Sequence, residues 1–254
     1  MAQQASSTPG PLVLMGGEHL TPASRPLWAD LMALHAHHGG RLAVVPAALA
    51  DAAAPKREYR LGLALEGLAG AGFAAEVIPI LSPDQAGQPD LIGQIESWPG
   101  GFYLAGGAPR ALLETLRYCP AWDALWRRHA GGALLIAAPG AAVGLGQHAF
   151  APIEPGGQNA YPPQFEYLTG MDCLAEVGVV PHFDRLSPTL IDALLAVMPR
   201  DALLAGIDEG AALLIERVGC RVLGRGAVTI RDRAGVRQQV RAGQGIIAFE
   251  SLFA

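Results

Sequence analysis

Charge is scarce in this chain of 254 residues: Asp, Glu, Lys and Arg together make up 16%, against 51% hydrophobic residues, and the formal net charge is -5. A surplus of negative charge excludes nucleic acid and acidic membrane surfaces as expected partners. Cysteine is nearly absent as well. Cys119, Cys173 and Cys220 are far apart and form no CxxC pair, which excludes a disulfide framework and a zinc knuckle and fits thiols in a reducing cytoplasm. The opening MAQQASSTPG lacks the basic and apolar regions of a signal peptide, and residues 1–10 read as a loose tail. No internal repeat or low-complexity linker divides residues 11–254, which read as a single domain. One stretch, Ala130 to Ile153, has no Asp, Glu, Lys or Arg. Its glycines and Pro139 fit a buried strand and helix better than a bilayer span, so no membrane partner is expected.

What is present is an alternation of short apolar runs and helical patterns. PLVLM (11–15), LAVVP (42–46), AEVIPIL (75–81), FYLA (102–105) and ALLIA (133–137) read as strands. Arg60–Ala71, Arg110–Arg117 and Trp122–His129 carry helical spacing between them. Continuously apolar strands separated by helices predict an α/β fold: a mostly parallel central sheet with helices on both faces, in three layers. The last third adds a strand at 174–180 and a helix over Pro188–Met198. After these come AALLIE (211–216), RVLGRGAVTIRD (221–232) and GIIAFE (245–250), which predict antiparallel C-terminal strands. Two glycine pairs, Gly16-Gly17 and Gly106-Gly107, fall just after strand ends, where a ligand meets the carboxyl edge of an open sheet.

Four segments then carry a resemblance. VLMGGE (13–18), FYLAGGAPRALLETL (102–116), GGALLIAAPGAAVG (131–144), and PHF (181–183) with GIDEGAALLIERVGCRVLGRGAVTIRD (206–232) are similar, in order and spacing, to the cyanophycinase and peptidase E (aspartyl dipeptidase) family of serine hydrolases. That family has a class I glutamine amidotransferase-like fold. The resemblance implies a serine on a sharp strand-to-helix turn, a histidine that takes its proton, and a carboxylate that orients the histidine. In this chain the serine position holds Ala138, the histidine is His182, and the acid is Glu209, beside Asp208. Gly106 and Gly107 match the loop that supplies part of the oxyanion hole, and Gly17 and Asp208 are further binding candidates.

The departures all point the same way. A methyl group cannot attack a carbonyl, and Ala130 to Gln147 contains no Ser, Thr or Cys to take its place. Pro139 follows, where the family uses a backbone N–H as oxyanion donor, and proline has none. Ala108-Pro109 and Val180-Pro181 replace the family's polar groups, and Arg185 is the only nearby basic residue after the histidine. The expectation is a protein that has lost serine hydrolase activity and holds a peptide or small polar ligand. Two alternatives stand beside it. One is a hydrolase with relocated chemistry, in which His182 and Glu209 activate a water. The other is a structural or interaction protein acting as a homodimer.

The remaining candidates are weaker. His35, His37 and His38 lie near a helix end, and His35 and His38 share a face, but no third ligand has matching spacing; neither metal nor cofactor is expected. His148, Tyr161, Phe165 and Tyr167 fall in a stretch, 147–170, that reads as a long loop serving as a lid or partner surface.

Overall fold

A computed structural model describes residues 9–17, 21, 24–35, 40–153 and 165–244. The chain runs through β1 (Leu12–Met15), α1 (Arg25–His35), β2 (Arg41–Val45), α2 (Ala54–Gly70), β3 (Ala74–Val77), α3 (Pro83–Ala86) and α4 (Pro89–Ser97). It continues through β4 (Gly101–Leu104), α5 (Pro109–Leu116), α6 (Pro120–Ala130), β5 (Leu135–Ala137) and α7 (Pro139–Leu145). Next come β6 (Gly146–Pro152), β7 (Phe165–Thr169), β8 (Leu174–Pro181), α8 (Pro188–Val197) and β9 (Leu203–Ile207). The described part closes with β10 (Ala211–Glu216), β11 (Gly219–Gly224), β12 (Ala227–Asp232) and β13 (Gly235–Arg241). Every helix from α2 to α8 has proline in its first turn, where the missing N–H has no intrahelical partner to lose.

The strands form two sheets, with orders β11-β10-β1-β5-β4-β2-β3 and β13-β12-β9-β8-β6-β7. In the first, β1, β5, β4, β2 and β3 are parallel, and β10 and β11 add antiparallel strands beside β1. Alternate residues of β1 enter different cores. Leu12 and Leu14 join one that contains Leu112 of α5 and Leu125 of α6; Val13 and Met15 join another that contains Leu27 of α1 and Leu68 of α2. The first core also takes in Val177 and Val179 of β8, Ala205 of β9 and Val228 of β12, so it runs on into the second sheet.

The mixed, mostly parallel α/β architecture with helices on both faces is as expected, but the single central sheet is not. RVLGRGAVTIRD divides into β11 and β12, which belong to different sheets; Gly224 (φ 79°) and Gly226 (φ 111°) turn the chain between them. The stretch 147–170 is no simple loop: β6 and β7 are its antiparallel arms, with His148 opposite Thr169 and Phe150 opposite Tyr167. Strand β3 stops at Val77, short of the 75–81 run, which contains Pro79. GIIAFE, Tyr161, His37 and His38 lie outside the described residues, as does the side chain of His35. Ala130 to Ile153 resolves into the end of α6 followed by β5, α7 and β6, and among the described residues no helix is long and apolar enough to cross a membrane.

Candidate functional site at the carboxyl edge of the first sheet

Strands β1, β4 and β5 end side by side, so Gly16-Gly17, Gly106-Gly107 and Ala138-Pro139 emerge at one edge. The chain reaches the same edge twice more. The His182 N–H donates to the Gly16 carbonyl at 2.7 Å, and the Gly210 N–H donates to the Gly17 carbonyl at 3.0 Å. Residues 182 and 209 are thereby brought against the end of β1. Nδ1 of His182 donates to Oε1 of Glu209 at 2.7 Å, since a carboxylate can only accept. Oε2 of the same carboxylate is bound by the Arg185 guanidinium, and the Glu209 N–H donates to Oδ1 of Asp184 at 2.8 Å.

Two backbone features hold the histidine there. His182 adopts a left-handed conformation (φ 52°, ψ 35°), uncommon for a non-glycine residue, and turns the chain into a 3₁₀ segment over Phe183–Arg185. The Phe183 ring covers Gly206 of β9, where a Cβ would lie 2.3 Å from it. Gly17, at φ 147°, is pressed against the pair; a Cβ on it would lie 2.4 Å from His182 Cε1 and 3.1 Å from Glu209 Cγ. The imidazole–carboxylate pair therefore rests on bare glycine backbone.

Asp208 is not the histidine's partner. Its Oδ2 accepts the Ala227 N–H at 2.9 Å, at the start of β12. Burial pushes its carboxyl pKa up, partly opposed by that N–H. Arg185 is the one nearby cation the sequence offered, and its place is on Glu209. Asp184 had not been singled out; its signal is a position between the histidine and that arginine in one short turn.

The turn at Ala138 is closed. Ala138 is fully buried, and a Cβ on Gly106 would stand 3.3 Å from the Ala138 methyl. A Cβ on Gly140 would meet the Gly107 carbonyl at 1.8 Å, and one on Gly107 would meet the Ala48 carbonyl at 1.9 Å. Three backbone segments thus pack directly on one another around the turn. Ala138 itself is extended (φ -68°, ψ 163°), as expected for a residue before proline, and begins α7 as an N-cap with no side-chain bond. Nothing here has the strained geometry of a nucleophile elbow.

A second polar cluster lies on the hairpin. His148 is buried at 4% exposure, and its Nδ1 is 2.6 Å from the Tyr167 hydroxyl. Among the described residues its Nε2 has no hydrogen-bond partner, and it stands 3.7 Å from Glu176 Oε2. Burial lowers the pKa of this histidine, against the opposing pull of Glu176 and Asp172. Among the described residues no group of three or more His, Cys, Asp or Glu side chains is arranged to hold a metal ion.

A mostly parallel sheet backed by helices on both faces thus carries a His–Glu pair beside a strand-to-helix turn at its carboxyl edge. The chain has the fold of a peptidase from an acI-B1 Actinobacterium, with a TM-score of 0.76 and 24% identity over 96% of this chain and 98% of that one. It is also similar to a protein from Listeria monocytogenes EGD-e named as a candidate peptidase E, with a TM-score of 0.60 and 14% identity over 86% of this chain and 100% of that one. Neither a protein-family model nor a curated protein matches the chain.

Proposed function

We propose that this protein is a peptidase E- and cyanophycinase-like scaffold that has lost serine hydrolase chemistry and holds a short peptide or small polar ligand at the His182–Glu209 edge. The observation that carries the reading is the turn itself. A buried methyl stands where the nucleophile is expected, in relaxed backbone, followed by a proline with no N–H to offer an oxyanion. A missing oxyanion donor alone typically costs on the order of 10²–10³ in rate.

The 2.7 Å contact between His182 and Glu209 favours one second reading, a water-activating hydrolase in which the oriented imidazole is the general base. One experiment separates the two. Purified protein is incubated with aspartyl dipeptides, cyanophycin and an activated ester, beside a His182→Ala variant. The expected result is no turnover above the buffer blank for either protein. Turnover by the wild type that disappears in His182→Ala overturns the first reading in favour of the second.

A further inference from the structure

At the opposite edge of the first sheet, where β1 begins and β10 ends, lies a partly open cavity of about 310 Å³. That is the lower end of the usual range for small-molecule sites. Leu12, Trp126, Cys173 and Ile215 give it apolar walls. Trp126 stacks on Trp122 with ring centroids 5.7 Å apart and stands 5.0 Å from the His129 ring, so one wall is aromatic. The chain entering β1 closes another side, where the Gly10 N–H donates to the His129 carbonyl at 2.8 Å. Glu216 and Arg217, at the turn from β10 into β11, complete the lining.

The two charged residues are not equivalent. Along β10, Leu213 and Ile215 enter the core that holds Leu12, whereas Ala212 and Leu214 enter the core of α1 and α2. Glu216 continues the second series, because side chains alternate along a strand. Its carboxylate is tied on that face by Arg221, which lies opposite Leu214 and reaches Oε2 with Nε at 3.3 Å and a terminal nitrogen at 3.0 Å. Arg217 continues the series of Leu213 and Ile215, is exposed, and has no ion pair among the described residues. The remaining titratable walls add no charge at neutral pH. Burial lowers the pKa of His129, against the pull of the Ala133 carbonyl, and drives that of the Cys173 thiol far up. The cavity is an apolar slot with one uncompensated cation at its mouth.

We infer that this cavity is a binding site for a small aromatic monocarboxylic acid, of the arylacetate class, whose ring lies against Trp126 and whose carboxylate pairs with Arg217 at the mouth. The ring leaves water for the apolar walls, and the carboxylate stays at the rim, where it need not be fully desolvated. Arginine suits this end, since its planar fork of donors matches the two oxygens of a carboxylate. A ligand with a second carboxylate would have to bury it against Leu12 and Ile215 or leave the slot. The site is separate from His182: Leu12 opens β1, whereas Gly17 follows its far end.

The test first compares ligands of one shape and different charge on the unaltered protein, so folding of a variant does not enter. Titration calorimetry at neutral pH should show saturable binding of phenylacetate and about ten-fold weaker binding of uncharged phenylacetamide, the loss expected when a charged hydrogen bond is removed. Cationic phenethylamine should bind more weakly than either. Arg217→Gln, in an exposed turn, should bring phenylacetate down to the level of the amide. In two-dimensional NMR spectra phenylacetate should move the ring signals of Trp126 and His129 and leave those of His182 in place. Equal affinities for acid and amide in the wild type, no saturable heat up to about 10 mM phenylacetate, unchanged binding in Arg217→Gln, or shifts confined to His182 would each overturn the inference.

Discussion

His182 donates to Glu209 across 27 residues of sequence, and the same carboxylate is bound from its other side by Arg185. Both of its oxygens are thereby engaged, which fixes the acid as an orienting group. The imidazole keeps its Nε2 side for whatever meets this edge.

Ala138→Ser alone is expected to leave the protein inactive on an activated ester and on an aspartyl dipeptide. The new hydroxyl would sit at the N-cap of α7, beneath Gly106, where it satisfies a first-turn N–H. Serine at an N-cap stabilises by about 0.5–2 kcal/mol relative to alanine, so thermal stability should rise while turnover stays at the blank. Ala138→Ser with Pro139→Ala relaxes the extended constraint and returns an N–H, and should do better than the single change. Full activity from Ala138→Ser alone would show that residue 138 is open to substrate.

Gly17→Ala should separate the histidine from the acid. Its Cβ would lie 2.4 Å from His182 Cε1 and 2.5 Å from Nδ1, and the residue's φ of 147° is itself unfavourable for alanine. Overpacking of this kind costs about 1–3 kcal/mol. Thermal melts and the NMR signals of the His182 ring report the two effects; an unshifted ring would mean that the pair does not rest on Gly17.

Stability should fall as pH drops below neutrality. Burial lowers the pKa values of both His148 and His129, so each folded-state value lies below that of the unfolded chain. Starting near the ordinary value of about 6.5, the unfolded state binds protons that the folded state refuses, and the equilibrium shifts toward unfolding as pH falls. Melting temperatures from pH 7 to 5.5 should decline, with a shallower slope in His148→Gln. An identical slope in the variant would remove His148 from the explanation.

Ser187→Ala should weaken the start of α8, just beyond the turn that carries His182. Ser187 Oγ accepts the Leu190 N–H at 3.2 Å, and losing such a cap costs about 1 kcal/mol. The measurement is a denaturant midpoint, and no change would mean that the helix start is held by packing alone.

Much of this was legible in the residues themselves. The parallel core of the first sheet shows as apolar runs, because strands buried on both faces need no polar alternation. His182 and Glu209 showed through resemblance, and their contact fits the spacing of PHF and the IDE turn. The second sheet did not show. Strand β9 reads LLAGI, and its glycine is there because the Phe183 ring needs the space, a long-range contact that no local pattern reveals. The arms β6 and β7 pass for loop because prolines surround them and their pairing is with each other and with β8. The transfer of the chain from β11 to β12 was hidden for a similar reason: Gly224 and Gly226 look like interruptions in one strand until each side finds a different partner.

Helix α7 begins at the closed turn, packs against β1 and β5 of the first sheet and β8 of the second, and passes into β6 with no residue between Leu145 and Gly146. It works as a tie rod between the two sheets. Residue 138 is therefore joined to the first strand of the second sheet by one buried seven-residue helix. The two sheets should therefore open as one cooperative unit in amide exchange, and the spot where chemistry would be expected is also a close-packed joint between them.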